Sequence, residues 1–460
     1  MRQWGPLITV CAGATMLLLD VTIVNVALPE AAAELGATFT DLQWVMDGYI
    51  LALAALLLGT GAVADRFGRR RVYCSALATF GLASLCCGLA PSPELLTAAR
   101  TVQGLGAAGM FAIAPALLHA SYEGRMRGIA FGVWGGVSAA AAAAGPLVGG
   151  VVTHFLGWRW IFLVNVPICV VAVLLAPRVL TRTPGDSGRR LDLAGTVLFT
   201  LSSGALVYGL IRGNELGWTS PASVALFSGS ALAMAAFLFT ERRRSFPVLD
   251  PRLLRDGRFV GISLAAITMT VAAYSSLLYV SLWLQTRDGL SPLLTGLVMA
   301  PLGFTAMVTA LAKGRLGASA PPRAPIACGL VFVGAGGLVM ASAGPGPFWP
   351  WVLAGTALAG VGAGLVSPLL ASTALSIVSR ERTGMASAVN AACRQFGTAL
   401  GIALFGALFP HFGLRILFLV STGVALAGAA LTWVLLREIP RQDRKNTPAD
   451  HAGRRQGSRS

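Results

Sequence analysis

The stretch LITVCAGATMLLLDVTIVNVALP, residues 7–29, runs for twenty-three residues with a single charge, Asp20. At 1.5 Å rise per residue such a segment crosses the ~30 Å hydrocarbon core of a bilayer. It shows no alternation of polar and apolar positions and is too long for a barrel strand. Lipid offers backbone groups no water, and a helix is the structure that satisfies all of them internally. Residues 7–29 therefore read as a transmembrane helix. The preceding Met-Arg-Gln-Trp runs straight into it, and no convincing cleavage site follows, so this first span is expected to be retained.

The pattern repeats along the chain. Apolar blocks follow at 44–64, 73–90, 95–118, 128–153, 158–176, 191–211 and 221–240. Six more lie at 259–284, 293–312, 324–343, 348–373, 386–410 and 414–436, for fourteen spans in all. Composition agrees: 55% of residues are hydrophobic and 12% charged, about half the charge of an ordinary soluble domain. The fold class expected is an all-α membrane protein, a bundle of 14 transmembrane helices.

Lysine and arginine orient the bundle. With the N-terminus inside, the cytoplasmic segments hold 29 of them, against four outside (Arg159, Arg212, Arg287 and Arg415). The positive-inside rule then places both termini in the cytoplasm. The same rule accounts for the formal net charge of +16, so nucleic acid is not an expected partner; the lipid bilayer is. Long polar segments at 177–190 and 241–258 bracket spans seven and eight, giving a 6 + 2 + 6 order. The expected division is 1–178, 179–258 and 259–437, with a disordered cytoplasmic tail at 438–460. Two six-helix halves around a central path is a recurring transporter plan.

Four ionisable residues fall inside spans: Asp20 in span one, Asp47 in span two, Arg100 in span four and Arg394 in span thirteen. A charge in hydrocarbon costs several kcal/mol, and such residues face a cavity or a partner. Asp20 lies ~20 Å from the cytoplasmic end of its span, and Asp47 and Arg100 lie within two turns of the outer face. All three could meet in the outer half of the first bundle. A carboxylate whose solvation and distance to an arginine change between conformations is suited to coupling proton entry to a switch. A static ion pair, with Asp47 merely interfacial, is the plain alternative. No acid is found within the last six spans to partner Arg394.

Four blocks give the chain a family likeness. Leu19-Asp20-Val21-Thr22-Ile23-Val24-Asn25-Val26-Ala27-Leu28-Pro29 resembles the span-one signature of the 14-helix drug:proton antiporters, a branch of the major facilitator superfamily. Gly61-Ala62-Val63-Ala64-Asp65-Arg66-Phe67-Gly68-Arg69-Arg70-Arg71 is similar to the superfamily's cytoplasmic motif between spans two and three. Arg100-Thr101-Val102-Gln103-Gly104 resembles the span-four motif linked with proton transfer, and Gly145-Pro146-Leu147-Val148-Gly149-Gly150 the span-five motif of antiporters. Asn390, Arg394, Gln395 and Gly397 resemble a span-thirteen element of the same branch. The resemblance implies a major-facilitator-type bundle with Asp20 and Arg100 in proton coupling, to which the reading of intramembrane charges adds Asp47. It further implies a cytoplasmic gate at Gly61, Asp65, Arg66, Gly68 and Arg69, and an antiporter helix marked by Gly145, Pro146, Gly149 and Gly150. The long external segment common between the family's last two spans is missing, since little separates Pro410 from Arg415.

The function expected is alternating-access export of small amphipathic or hydrophobic organic compounds in exchange for protons. A proton-coupled uptake symporter on the same fold is the alternative, and a membrane enzyme or receptor a distant third. No Gly-x4-Gly-Lys-Ser/Thr phosphate loop supports an ATP-driven pump. His119, His154, His411 and His451 are too scattered for a metal site, and the seven cysteines show no ligand spacing. No cofactor is expected, the proton gradient being the driving force. Depth and polarity pick Asn25, Tyr49, Gln103, Trp134, Asn165, Tyr274, Arg394 and Gln395 as cavity candidates, each also consistent with packing. A monomer is expected, since a bundle of this size needs no partner. Alanine, glycine and arginine in place of lysine fit a high-GC bacterial genome, hence a bacterial inner membrane.

Overall fold

The computed structural model describes residues 4–182, 192–244, 249, 251–316, 321–344, 346–378 and 383–436. The tail at 438–460 and most of the first central linker lie outside the described residues. Among the described residues there is no strand. Helices α1 (Gly5–Leu35), α2 (Phe39–Phe67), α3 (Arg69–Gly88), α4 (Pro93–Ser121) and α5 (Gly124–Leu156) match the first five spans. The sixth is interrupted, as α6 (Trp160–Leu163) and α7 (Asn165–Val179). Then come α8 (Leu193–Leu216) and α9 (Pro221–Arg243). The ninth span is also broken, into α10 (Gly257–Ala273) and α11 (Leu277–Thr286). Helices α12 (Pro292–Leu316), α13 (Arg323–Ala341) and α14 (Trp349–Ile377) precede α15 (Thr383–Leu435), which holds the last two spans.

Local chemistry sets these limits. Thr38 and Asp41 form a capping box at the start of α2, with Thr38 N donating to Asp41 Oδ2 at 2.8 Å. Ser92 caps α4, and Pro93 fills the first helical position, where its missing N–H costs nothing. At 53 residues α15 would be about 80 Å long if straight, far more than one crossing. It breaks at Gly413, whose φ of 66° only glycine adopts freely. The sequence places the division near Pro410, between spans ending at 410 and resuming at 414, and the reversal at Gly413 falls in that gap while Pro410 itself stays inside the helix. Twelve helical stretches among the described residues are long and apolar enough to cross a membrane. Counting the two limbs of α15 separately and adding α2 gives the fourteen spans.

Helices α1 to α7 pack mainly among themselves: α1 on α5, α4 and α7, α2 on α4, and α3 on α4 and α7. Helices α10 to α15 do likewise, with α10 on α15, α13 on α14 and α15, and α12 on α14. The two sets meet where α5 packs on α12, α2 on α15, and α1 on α11 and α12. Helix α8 lies against both α2 and α15.

The joining contacts share one end of the bundle, the outer one by the arginine count. Gln285 Nε2 of α11 donates to Val26 O of α1 at 2.8 Å. Phe39 of α2 stacks on Phe409 of α15 with centroids 5.6 Å apart. A Cβ on Gly150 would stand 2.6 Å from Pro292 O, and one on Gly296 or Gly303 would collide with Pro146 or Ala143. Only residues without side-chain bulk let α5 and α12 approach this closely. Gly145 and Gly149 do the same toward α1, at Thr22 and Ile23. The glycines of the span-five block are thus a two-sided packing surface. A Cβ on Gly132, Gly135 or Gly136, nearer the other end of α5, would meet nothing within 4 Å among the described residues. Phe304, Val308 and Leu311 of α12 are exposed at that end.

Candidate functional site

Asp20 sits amid Leu17, Leu18, Leu19, Val21 and Ile23, with no polar group on its own helix to neutralise it. The partner comes from α4. Arg100 Nη1 donates to Asp20 Oδ2 at 2.5 Å, and both side chains are fully buried. Arg100 and Gln103 are one turn apart and share a helix face. Arg100 Nη1 also donates to Gln103 Oε1 at 2.7 Å, and Gln103 Nε2 donates to Asp20 Oδ1 at 3.1 Å. Gln103 Nε2 donates as well to Ser84 Oγ at 2.8 Å, and Asn165 Nδ2 reaches Asp20 Oδ1 at 3.5 Å. Arg100 Nε donates to Val45 O at 3.2 Å. The guanidinium lies 4.1 Å from the Tyr49 ring centre and 5.6 Å from that of Phe162. Aromatic faces stabilise a cation held out of water.

Helices α1, α2, α3, α4 and α7 all contribute to this cluster. Each carboxylate oxygen of Asp20 faces N–H donors and neither faces an acceptor. A proton placed on either oxygen would point at a donor, so taking up a proton goes with rearrangement of the Asp20–Arg100 pair. Arg100 Nη2 and Tyr49 Oη are buried without hydrogen-bond partners, leaving polar groups in place for an altered arrangement.

Asp47 does not join the cluster, which corrects the expectation that both acids meet Arg100. On α2, Val45 and Tyr49 face Arg100, whereas Asp47 lies about 200° round the helix from Tyr49. It shares its face with Gln43, which meets α11 and α15. Gln43 Nε2 donates to Tyr279 Oη and to Ile402 O, both at 3.5 Å. Tyr279 Oη in turn donates to Ile402 O. Asp47 is fully buried rather than interfacial, and neither of its carboxylate oxygens has a hydrogen-bond partner. The Gln43–Asp47 spacing, two polar residues one turn apart in an apolar run, was the available signal for this second cluster. Tyr279 and Ile402 O carried none.

The remaining candidates are dispersed. Asn25 Nδ2 bonds within its own helix, to Val21 O at 3.3 Å and Thr22 O at 3.4 Å. Trp134 packs edge-on to Phe131, and its Nε1 is buried without a partner. Arg394 and Gln395 are half-buried on α15, and Tyr274, at the end of α10, lies within electrostatic reach of Arg394. In the cytoplasmic motif, Gly68 takes φ 93° between α2 and α3, and Arg66 stacks on Phe67. Arg70, from the same block, donates to Pro177 O at 2.9 Å. The Asp65 side chain lies outside the described residues. No group of three metal-binding side chains occurs among the described residues.

Comparison with known proteins gives a consistent result. The family model of the Major Facilitator Superfamily matches residues 10–401 and, in a second match, 262–457. The multidrug resistance protein Stp of Mycobacterium tuberculosis is 35% identical over 403 residues, covering 87% of this chain and 75% of that protein. The methylenomycin A resistance protein of Bacillus subtilis is 32% identical over 442 residues, 94% of each chain. The puromycin resistance protein pur8 of Streptomyces alboniger is 35% identical and covers 98% of this chain and 94% of its own length. The crystal structure of an auto-inhibited POT family peptide transporter superposes with a TM-score of 0.71 at 14% identity, covering 98% of this chain and 99% of that one. At that identity the last likeness concerns the fold alone.

Proposed function

Because this chain belongs to the major facilitator superfamily, we propose that it is a secondary active exporter of small amphipathic or hydrophobic organic compounds, driven by proton entry. It is a multi-pass membrane protein and a transporter rather than an enzyme. Resistance and export proteins among its relatives support outward transport of drugs or antibiotics. The observation that carries the coupling is the sealed Asp20–Arg100–Gln103 cluster, in which proton uptake by Asp20 and its pairing with Arg100 exclude one another.

In this reading α1–α7 and α10–α15 are two bundles that rock about a substrate path between them, with α8 and α9 alongside. The chain works as a monomer in a bacterial inner membrane, with both termini cytoplasmic. Closure at the outer end leaves the path open toward the cytoplasm, the state that loads substrate for export. Protonation of Asp20 frees Arg100, and the paired and protonated states of the cluster bias the bundles toward opposite closures. One proton entering gains ~2.3 kcal/mol per 100 mV, a sufficient drive for exchange.

The test is proton flux in energised inside-out vesicles. Adding a transported drug outside should alkalinise the lumen in the wild type, and Asp20→Asn should abolish that signal. Substrate-driven acidification would instead indicate symport, and normal exchange in Asp20→Asn would remove Asp20 from the coupling path.

A further inference from the structure

Arg394 is a cation inside a span to which no acid has been given. It lies eleven residues into α15, ~16 Å from the helix start, too deep for a topological anchor. Its guanidinium makes no hydrogen bond or ion pair among the described residues. Between Gly257 and Arg437 the sequence holds two acids, Asp288 and Glu381. Asp288 stands in the loop between α11 and α12, where it accepts from Phe348 N, and Glu381 lies outside the described residues. Asp20 is committed to Arg100, and Asp47 belongs to the outer seam, about two turns nearer the outer face.

The direction of Arg394 follows from its neighbours on α15. Gly397 and Gly401 abut α10 at Ile267, Thr270 and Val271, Gly406 abuts Gln43 of α2, and Phe396 meets Phe199 of α8. At 100° per residue Arg394 lies about 60° from Gly397 and about 160° from Phe396. It therefore looks into the wedge between α10 and α2, the space between the two helix sets, and away from α8. One turn below, Asn390 is buried with its Nδ2 donor unpartnered. The hydroxyl-bearing Tyr274 borders the same wedge. The unpartnered groups named here, the Arg394 guanidinium and Asn390 Nδ2, are both donors, and among the described residues no carboxylate pairs with either.

We propose that Arg394 receives the acidic group of the substrate, so that this exporter prefers amphipathic organic anions, carboxylates foremost, over neutral or cationic compounds. The guanidinium fork pairs with both oxygens of a carboxylate, while Asn390 offers a further N–H. A bound anion would supply the counter-charge that the protein withholds, and the apolar walls of the wedge would hold the rest of the molecule. The inference rests on the exporter reading. It also changes the electrical character of the cycle. Exchange of an outgoing monoanion for one incoming proton moves two charges, whereas exchange of a monocation moves none.

The experiment uses the full-length protein in proteoliposomes with three labelled probes on one scaffold: naphthoxyacetate, its neutral carboxamide, and naphthoxyethylamine. A panel of unrelated drugs is run in parallel. The acid should be transported at least tenfold faster than the other two, and an imposed membrane potential should accelerate it more than the carboxamide. Arg394→Gln should lower acid transport tenfold or more while leaving the carboxamide within twofold, and Arg394→Lys should keep most of the acid activity. Preference for the amine or the carboxamide overturns the proposal, as does an equal loss of all three in Arg394→Gln. Transport of panel drugs without any of the three probes also overturns it and leaves the exporter standing. Transport of nothing at all overturns the exporter reading with it.

Discussion

The Gln43 amide occupies the space that a side chain at residue 406 would need. A Cβ on Gly406 would collide with Gln43 Nε2 and stand 2.8 Å from Tyr279 Oη. Helices α2 and α15 close here because α15 presents bare backbone at this point. Gly406→Ala should therefore push Gln43 aside, at a cost of about 1–3 kcal/mol for overpacking, and hold the seam open. Labelling of a cysteine placed at Phe39 by an impermeant maleimide should become faster. An unchanged rate would mean that the seam absorbs the methyl group.

Asp47 predicts a change of opposite sign at the same seam. Its two oxygens are buried without partners, so an ionised carboxylate there opposes closure. Asp47→Asn cannot ionise and should favour the closed seam, slowing the same maleimide reaction and lowering turnover. Faster labelling in Asp47→Asn would show that Asp47 supports closure instead.

The Asp20–Arg100 pair can be separated into its structural and coupling parts. Asp20→Asn leaves a fully buried guanidinium without its counter-ion, a loss of about 3–5 kcal/mol by analogy with other broken buried pairs. Adding Arg100→Gln removes the stranded charge and should restore most of the thermal stability in detergent. Proton-coupled transport should stay absent in the double variant. Recovery of both properties together would reduce the pair to a structural contact.

The glycines of α5 should divide sharply by position. Gly145→Val has no room against Thr22 and should abolish the folded protein or lower its melting temperature by several degrees. Gly132→Ala meets nothing within 4 Å and gains helix propensity of up to ~1 kcal/mol. Size-exclusion profiles of the two variants, purified side by side, check the contrast.

The sequence alone determined the helical class, the number of spans and the list of charges that must find company. Those features follow from local quantities: length, apolarity and the cost of a charge in hydrocarbon. Rotational placement was another matter. The spans are apolar on nearly every face, so periodicity does not say which side of α2 looks at α4 and which at α15. Asp47 and Tyr49 are two residues apart, yet one meets the seam and the other the Arg100 guanidinium. The break between the last two spans was legible as the gap at 411–413, and the packing put its positive φ on Gly413. Gln103 and Asn165 became donors to one carboxylate, with Ser84 accepting from Gln103 behind them, only because α3, α4 and α7 pack around α1. A hydrogen bond between residues 80 or 145 positions apart depends on helix order and rotation. Tertiary packing fixes both, and no local pattern of residues encodes them.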